Sequence, residues 1–199
     1  MRVEERGRFK RIIIEPGEYY VSDQEVVIST LLGSCVSACL YDPQKKIVGM
    51  NHFLLSNRRY ARNMPITISE AGRYGTHAME LLINEMIKLG ARRENLKAKA
   101  FGGGSLLHVA RQADNFCCVG EVNGRFIHEF LDNEGIPLVA ADLGGNSGRV
   151  IHYSASDFSV YARKIHRERI GGLVKRDRQF WESKIKEQET TTAQPDLWL

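Results

Sequence analysis

With 199 residues, 43% of them apolar, and a formal net charge of +4, the chain is long and hydrophobic enough to bury one sizeable core. No apolar run approaches the roughly 18 residues needed to span a bilayer, and residues 1–7 lack the apolar stretch of a secretory signal. The four cysteines, Cys35, Cys39, Cys117 and Cys118, show no CxxC zinc spacing, and without an export signal they read as reduced thiols of a cytoplasmic protein.

In chain order, residues 1–11 read as a flexible basic leader. Ile12-Ile13-Ile14 begins a strand that Pro16-Gly17 turns, residues 18–22 form a short strand, and residues 26–31 form another that Gly33 stops. Residues 34–41 and 47–55 flank Asp42-Pro43-Gln44-Lys45, where Pro pre-sets φ and Asp bonds the backbone beyond it, so the pair reads as a hairpin. Residues 56–69 are polar and basic and read as an exposed loop. Residues 75–89 carry Ala78, Leu81, Leu82, Met86 and Leu89 at three- and four-residue spacing, which predicts a helix with Gly90 as its C-cap.

Residues 96–101 form a strand running into Gly102-Gly103-Gly104-Ser105. A second helix is expected over 121–133, with Phe126, Ile127, Phe130 and Leu131 inward and Gly135 beyond it. Strands over 137–142, 149–154 and 159–165 follow, the first two separated by a turn at 144–148. Many strands with about two main helices between them predict an α/β (α+β) layered sandwich with mixed or antiparallel sheets. The expected domain spans 12–174. Residues 175–199 read as a charged extension, partly helical and then disordered, because 187–194 is polar and low in complexity.

The most informative chemistry lies in the hairpin. If Asp42 and Lys45 close it, Cys35 faces His52, and opposed side chains in an antiparallel pair have Cβ atoms roughly 4.5–5.5 Å apart. A thiol beside an imidazole is how a protein makes a nucleophilic thiolate at neutral pH. Placing Lys46 in the connection leaves a second register, and a one-residue slip would send the two side chains to opposite faces. Taken singly, a Cys is more often a small core residue and a strand His a satisfied polar group; Cys39, Cys117 and Cys118 read as core. The remaining histidines show no HxxH or HExxH pattern, so neither a metal nor another cofactor is expected.

Two basic groups stand out: Arg58, Arg59 and Arg62, and a second from Arg163 to Arg178. The second is interleaved with Glu168 and Asp177 and reads as a solvated face rather than a nucleic-acid site. Gly102-Gly103-Gly104-Ser105 resembles a phosphate loop but lacks the following Lys-Ser/Thr of a P-loop.

Leu31-Leu32-Gly33-Ser34-Cys35-Val36, Asp42-Pro43, Gly49-Met50-Asn51-His52, Phe101-Gly102-Gly103-Gly104-Ser105 and Asp142-Leu143-Gly144-Gly145-Asn146, in that order, resemble the CheD family of chemoreceptor glutamine deamidases. The resemblance runs from about Glu18 to Ile165. It implies a layered α/β sandwich and hydrolysis of glutamine side-chain amides on methyl-accepting chemotaxis receptors, with Cys35 as nucleophile and His52 as base. It also implies binding of the phosphatase CheC. The alternative is therefore a non-catalytic adaptor for CheC or receptors. The family's third residue is a Thr just upstream of the LGSC turn; here Ser29 holds that place by distance and Thr30 by residue type, and Ser29 is the favoured of the two.

Such a deamidase must also stabilise an oxyanion. Backbone N–H groups in the Gly33-Ser34-Cys35 turn are suited to that. Gly103, Gly104 and Ser105 are expected to form a close wall of the substrate cleft, with a contact to the oxyanion. Arg58, Arg59 and Arg62 are expected to help dock the acidic receptor. The protein is then cytoplasmic and recruited to membrane receptor arrays, without inserting into the membrane and without binding nucleic acid.

Overall fold

The computed structural model describes residues 1–6, 9–55, 70–105, 119–165 and 170–192. Two five-stranded mixed sheets pack face to face, and two helices cover the outer face of the second sheet. The first sheet contains β1 (Arg2–Arg6), β2 (Phe9–Ile13), β4 (Val26–Leu32), β9 (Arg149–Ser154) and β10 (Val160–Lys164), in that order. The second has the order β3 (Tyr19–Ser22), β6 (Ile47–Asn51), β5 (Val36–Asp42), β7 (Lys97–Gly102) and β8 (Leu138–Leu143). Among the described residues, β2 with β4 and β7 with β8 pair in parallel and the other pairs are antiparallel. The helices are α1 (Glu70–Lys88), α2 (Val119–Asn133) and α3 (Ile170–Thr192).

Side-chain alternation divides the interior into two cores. Between the sheets, Ile12, Ile28, Leu32, Ile151 and Tyr153 meet Cys35, Cys39, Val48, Met50, Leu54 and Phe101. Between the second sheet and its helices, Val36, Ala38, Leu40, Ala98 and Ala100 meet Leu82, Ile83, Met86, Phe126, Ile127 and Phe130. All seven residues of β5 are buried. A central strand covered on both faces reads as an almost continuous apolar run rather than an alternating one.

The layered sandwich and most strands agree with the sequence reading; four details differ. The residues expected to be a loose leader form β1 and the start of β2, paired from Arg2 with Ile13 to Arg6 with Phe9. That order comes from pairing with a partner strand, which local composition does not report. Helix α1 begins before Gly75 and buries Met79, Leu82, Ile83 and Met86, whereas Leu81 and Leu89 are 36% and 47% exposed. The spacing is helical, and Leu82 and Met86 lie on the buried face with Ala78 packed against it, but Met79 and Ile83 take the places expected of Leu81 and Leu89. Helix α3 crosses residues 174–175 and continues to Thr192, through part of the stretch expected to be disordered.

The hairpin connection is two residues longer than Asp42–Lys45 closure requires. Asp42 pairs with Ile47, and Lys46 adopts φ 55°. Asp42 Oδ1 accepts the N–H groups of Gln44 at 2.8 Å and Lys45 at 3.0 Å, which is the turn chemistry expected of Asp. The pairing therefore slides by two residues along the partner strand. Val36 bridges Phe53, and extending by one residue sets Cys35 opposite Leu54.

Candidate active site

Because the slide is two residues, an even number, Cys35 keeps the same face as His52 and becomes its diagonal rather than its direct neighbour. Diagonal pairs lie roughly 7–8 Å apart at Cα, still within side-chain reach. Both residues are buried, in the interior between the sheets. Cys35 sits just past the Gly33-Ser34 bend that carries the chain from the first sheet to the second. His52 follows the last residue of β6, and its N–H donates to Glu18 O at 2.9 Å.

The hydrogen bonds around His52 determine its tautomer. Thr30 Oγ1 lies 2.7 Å from His52 Nδ1 and 2.7 Å from Ile14 O. A carbonyl only accepts, so the single hydroxyl proton goes to Ile14. The hydroxyl must then accept from Nδ1–H, and Nε2 carries the lone pair. Nε2 makes no hydrogen bond among the described residues. It is a bare base in the interior that holds Cys35.

The structure thus brings Thr30, not Ser29, to His52, which corrects the preference for Ser29. Strand alternation is the reason: Ile28, Thr30 and Leu32 of β4 point toward the second sheet, and Ser29 points away. On that outer face Ser29 Oγ lies 2.8 Å from His152 Nδ1 and accepts from Arg11 Nε at 3.0 Å.

The glycine loop approaches Cys35 closely, and its N–H groups are taken up by backbone carbonyls instead of being free for an oxyanion. Gly103 N–H donates to Cys35 O at 2.7 Å, Gly104 N–H to Gly33 O at 2.8 Å and Ser105 N–H to Gly145 O at 2.7 Å. The first two of these bonds hold the Gly33–Cys35 turn in place. Gly102, at φ +113°, has no room for a side chain: a Cβ there would stand 2.2 Å from Cys35 O. Gly102→Ala is therefore expected to cost about 3 kcal/mol through strain and clash, measured by chemical denaturation. The Asp142–Asn146 stretch is a structured turn, as expected: buried Arg149 binds the carboxylate of Asp142 at 3.0 Å and the carbonyls of Asp142 and Gly144.

Three residues that sequence reasoning did not place at the site are central to it. Asn123 of α2 donates to Ser34 O at 2.8 Å and accepts from Leu55 N–H at 2.8 Å, tying the turn before Cys35 to the strand end after His52. Asp177 of α3 is fully buried and accepts Ser34 N–H at 2.8 Å and Ser34 Oγ–H at 3.0 Å through one oxygen. Arg176 donates to Leu31 O at 2.7 Å. These partners are far away in sequence, so no local pattern announces them. Arg58, Arg59, Arg62, Cys117 and Cys118 lie outside the described residues.

Burial sets the protonation of the pair. It pushes the Cys35 thiol well above its ordinary value, and the Asp177 charge adds to this against an opposing effect of Arg176. Burial, with Arg176 nearby, lowers His52 to about 3. In this conformation Cys35 is thus a neutral thiol and His52 a neutral imidazole. A consequence for stability follows. Between its folded value near 3 and its unfolded value near 6.5, His52 binds more protons in the unfolded chain. Stability should therefore fall on acidification below about pH 6.5, with a slope of up to about 1.4 kcal/mol per pH unit from this group. Half-buried His152, also lowered, adds in the same direction. Denaturation midpoints at pH 7 and pH 5 should differ less in His52→Gln than in the unaltered protein.

A buried cysteine on the same sheet face as a neutral histidine that a hydroxyl orients is an arrangement that acyl-transfer hydrolases use. The family described as CheD chemotactic sensory transduction matches residues 54–164. A Geobacter sulfurreducens protein named "Probable chemoreceptor glutamine deamidase CheD 1" is 57% identical over 188 residues, 94% of each chain. Proteins bearing the same deamidase name from Shewanella oneidensis and Rhizobium etli are 40% and 49% identical, covering 94% of both chains in the first case and 74% of this chain and 76% of the relative in the second. The chain belongs to the CheD family. A solved Bacillus licheniformis protein, YfiH, aligns at 14% identity and a TM-score of 0.37 over 62% of this chain and 49% of that one, too slight a likeness to bear on function.

Proposed function

We propose that this protein hydrolyses glutamine side-chain amides on chemotaxis receptors, with Cys35 as nucleophile, His52 as general base and acid, and Thr30 as the positioning residue. The observation that carries the reading is the chain Ile14 O, Thr30 Oγ1, His52 Nδ1, which leaves Nε2 a bare base in the interior where Cys35 is also buried. Relatives whose names state chemoreceptor glutamine deamidation support the substrate.

In the reaction, His52 Nε2 takes the thiol proton as Cys35 Sγ adds to the carboxamide carbon. Ser34 N–H, next to the nucleophile, donates to the oxyanion once its present acceptor has left. The imidazolium returns its proton to the departing nitrogen, ammonia leaves, and a thioester remains. His52 then takes a proton from water as the water attacks. Collapse expels the thiolate, which recovers that proton, and glutamate is the product. No metal or organic cofactor enters these steps.

Among the described residues, no helix is long and apolar enough to cross a membrane. The receptor itself is then what would bring this protein to the receptor array. The experiment is mass spectrometry of a receptor cytoplasmic fragment incubated with the protein and with Cys35→Ala. A gain of about one dalton at particular glutamines, absent with the variant, is expected for a hydrolytic nucleophile; the same gain with both proteins would refute it.

The buried, neutral thiol favours a second reading, in which the protein is held idle as a deamidase and serves as an adaptor for receptors or a CheC-type phosphatase. Stable CheC binding together with no mass gain on any native receptor would favour that reading.

A further inference from the structure

Helix α3 has no part in the chemistry above, yet it covers it. Leu173, Asp177 and Trp181, spaced by four residues, form its buried face, and Val174 and Phe180 pack against the core between the sheets. Its anchors surround the nucleophile turn. Leu173 reaches the space above Gly148 and Phe180 the space above Gly17. Arg176 donates to Leu31 O at 2.7 Å, pairs with Glu15 at 3.6 Å and braces Asp177 at 3.3 Å. Asp177 then takes both donors of Ser34, the residue before Cys35. With the helix in this position Cys35 has no exposed surface, and no glutamine side chain can reach it.

The chemistry at Asp177 is specific. A carboxylate is what glutamine becomes after deamidation. Asp177 presents one from a helix, on the backbone N–H that would otherwise receive the oxyanion. We infer that α3 is an intramolecular inhibitor that occupies the substrate's own seat, with the Asp177 carboxylate standing where the product carboxylate would lie, so that a receptor helix must displace α3 before Cys35 can react. This rests on the deamidase reading and adds its regulation. The Asp177 charge also opposes a Cys35 thiolate, in line with the raised thiol. When α3 departs, that charge leaves with it, and both water and the substrate amide gain entry.

The test uses the full chain, with Asp177→Ala and Arg176→Ala as variants. Removing Asp177 leaves Ser34 N–H buried without an acceptor in the closed form but hydrated in the open one, so opening is favoured. Alkylation of Cys35 by iodoacetamide is read by peptide mapping, which separates it from the other cysteines, and receptor-fragment deamidation is read by mass in parallel. Both rates should rise roughly ten-fold or more, the worth of a charge-assisted hydrogen bond, and a synthetic peptide of residues 170–192 should slow the variants again. Unchanged or slower rates in folded variants would overturn the inference, since α3 would then complete the site instead of closing it.

Hydrogen exchange on the unaltered chain gives a second measurement that needs no substitution. A receptor fragment should raise exchange across 170–192, and deamidation with α3 still fully protected would overturn the inference. Faster Cys35 alkylation with no deamidation by any form would keep the closure and refute the deamidase reading. Deamidation by the unaltered protein that is no faster in the variants would do the reverse.

Discussion

Cys35→Ala should lower receptor deamidation by at least about 10³-fold while leaving the fold in place. The magnitude follows from what is lost: without the thiol no thioester forms, and water must attack the carboxamide directly. In other enzymes with a covalent nucleophile, losses of this size or larger follow its removal. The fold should survive because Cys35 hydrogen-bonds through its carbonyl, to Gly103 N–H, and Ala keeps that carbonyl. Loss of one buried sulfur costs on the order of 1–2 kcal/mol. Circular dichroism and a denaturation curve would separate the two effects. Activity within ten-fold of the unaltered protein would remove Cys35 from the mechanism.

Replacing His52 by Gln should produce a loss of similar size, and the two hydroxyls of β4 should then behave differently. Thr30→Val keeps the shape but removes the acceptor for Nδ1–H and the donor to Ile14 O, both at 2.7 Å. The imidazole loses its fixed tautomer, and the expected loss in kcat is about 10²-fold, near the lower end of what general-base catalysis supplies. Thr30→Ser should recover most of it, because it restores the hydroxyl. Ser29→Ala should change kcat by less than about two-fold, since Ser29 Oγ binds His152 and Arg11 on the other face of the sheet. A pH profile distinguishes orientation from simple packing: Thr30→Val should shift the limb governed by the base, whereas a packing defect would leave it unmoved. Equal losses at Ser29 and Thr30 would refute the assignment.

The preference for Ser29 erred for an instructive reason. Counting residues back from the nucleophile measures distance along the chain, but a strand alternates faces at every residue. One step changes Thr30, which faces the second sheet, into Ser29, which faces away from it. The facing pair Cys35 and His52 depended on the same parity. The connection through Lys46 is two residues longer than Asp42–Lys45 closure requires, and a slide of two preserves the shared face and alters only which residues stand directly opposite.

Much of this protein is legible in its sequence because the responsible interactions are local. Asp42-Pro43 makes its own turn, Gly90 and Gly135 end helices at positive φ, and Phe126, Ile127, Phe130 and Leu131 mark the inward face of α2 by spacing alone. The order of residues around Cys35 and His52 likewise points to the family before any coordinate is known. Tertiary structure decided the rest. A loose-looking leader becomes β1 because β2 pairs with it. Gly103 and Gly104 become buttresses because their N–H groups meet the carbonyls of Cys35 and Gly33. A charged tail becomes the cover of the site because Asp177 finds Ser34, 143 residues away along the chain. Charge, spacing and turn chemistry act over a few residues and are written in the local sequence, whereas the partner of a buried polar group is chosen by how the whole chain packs.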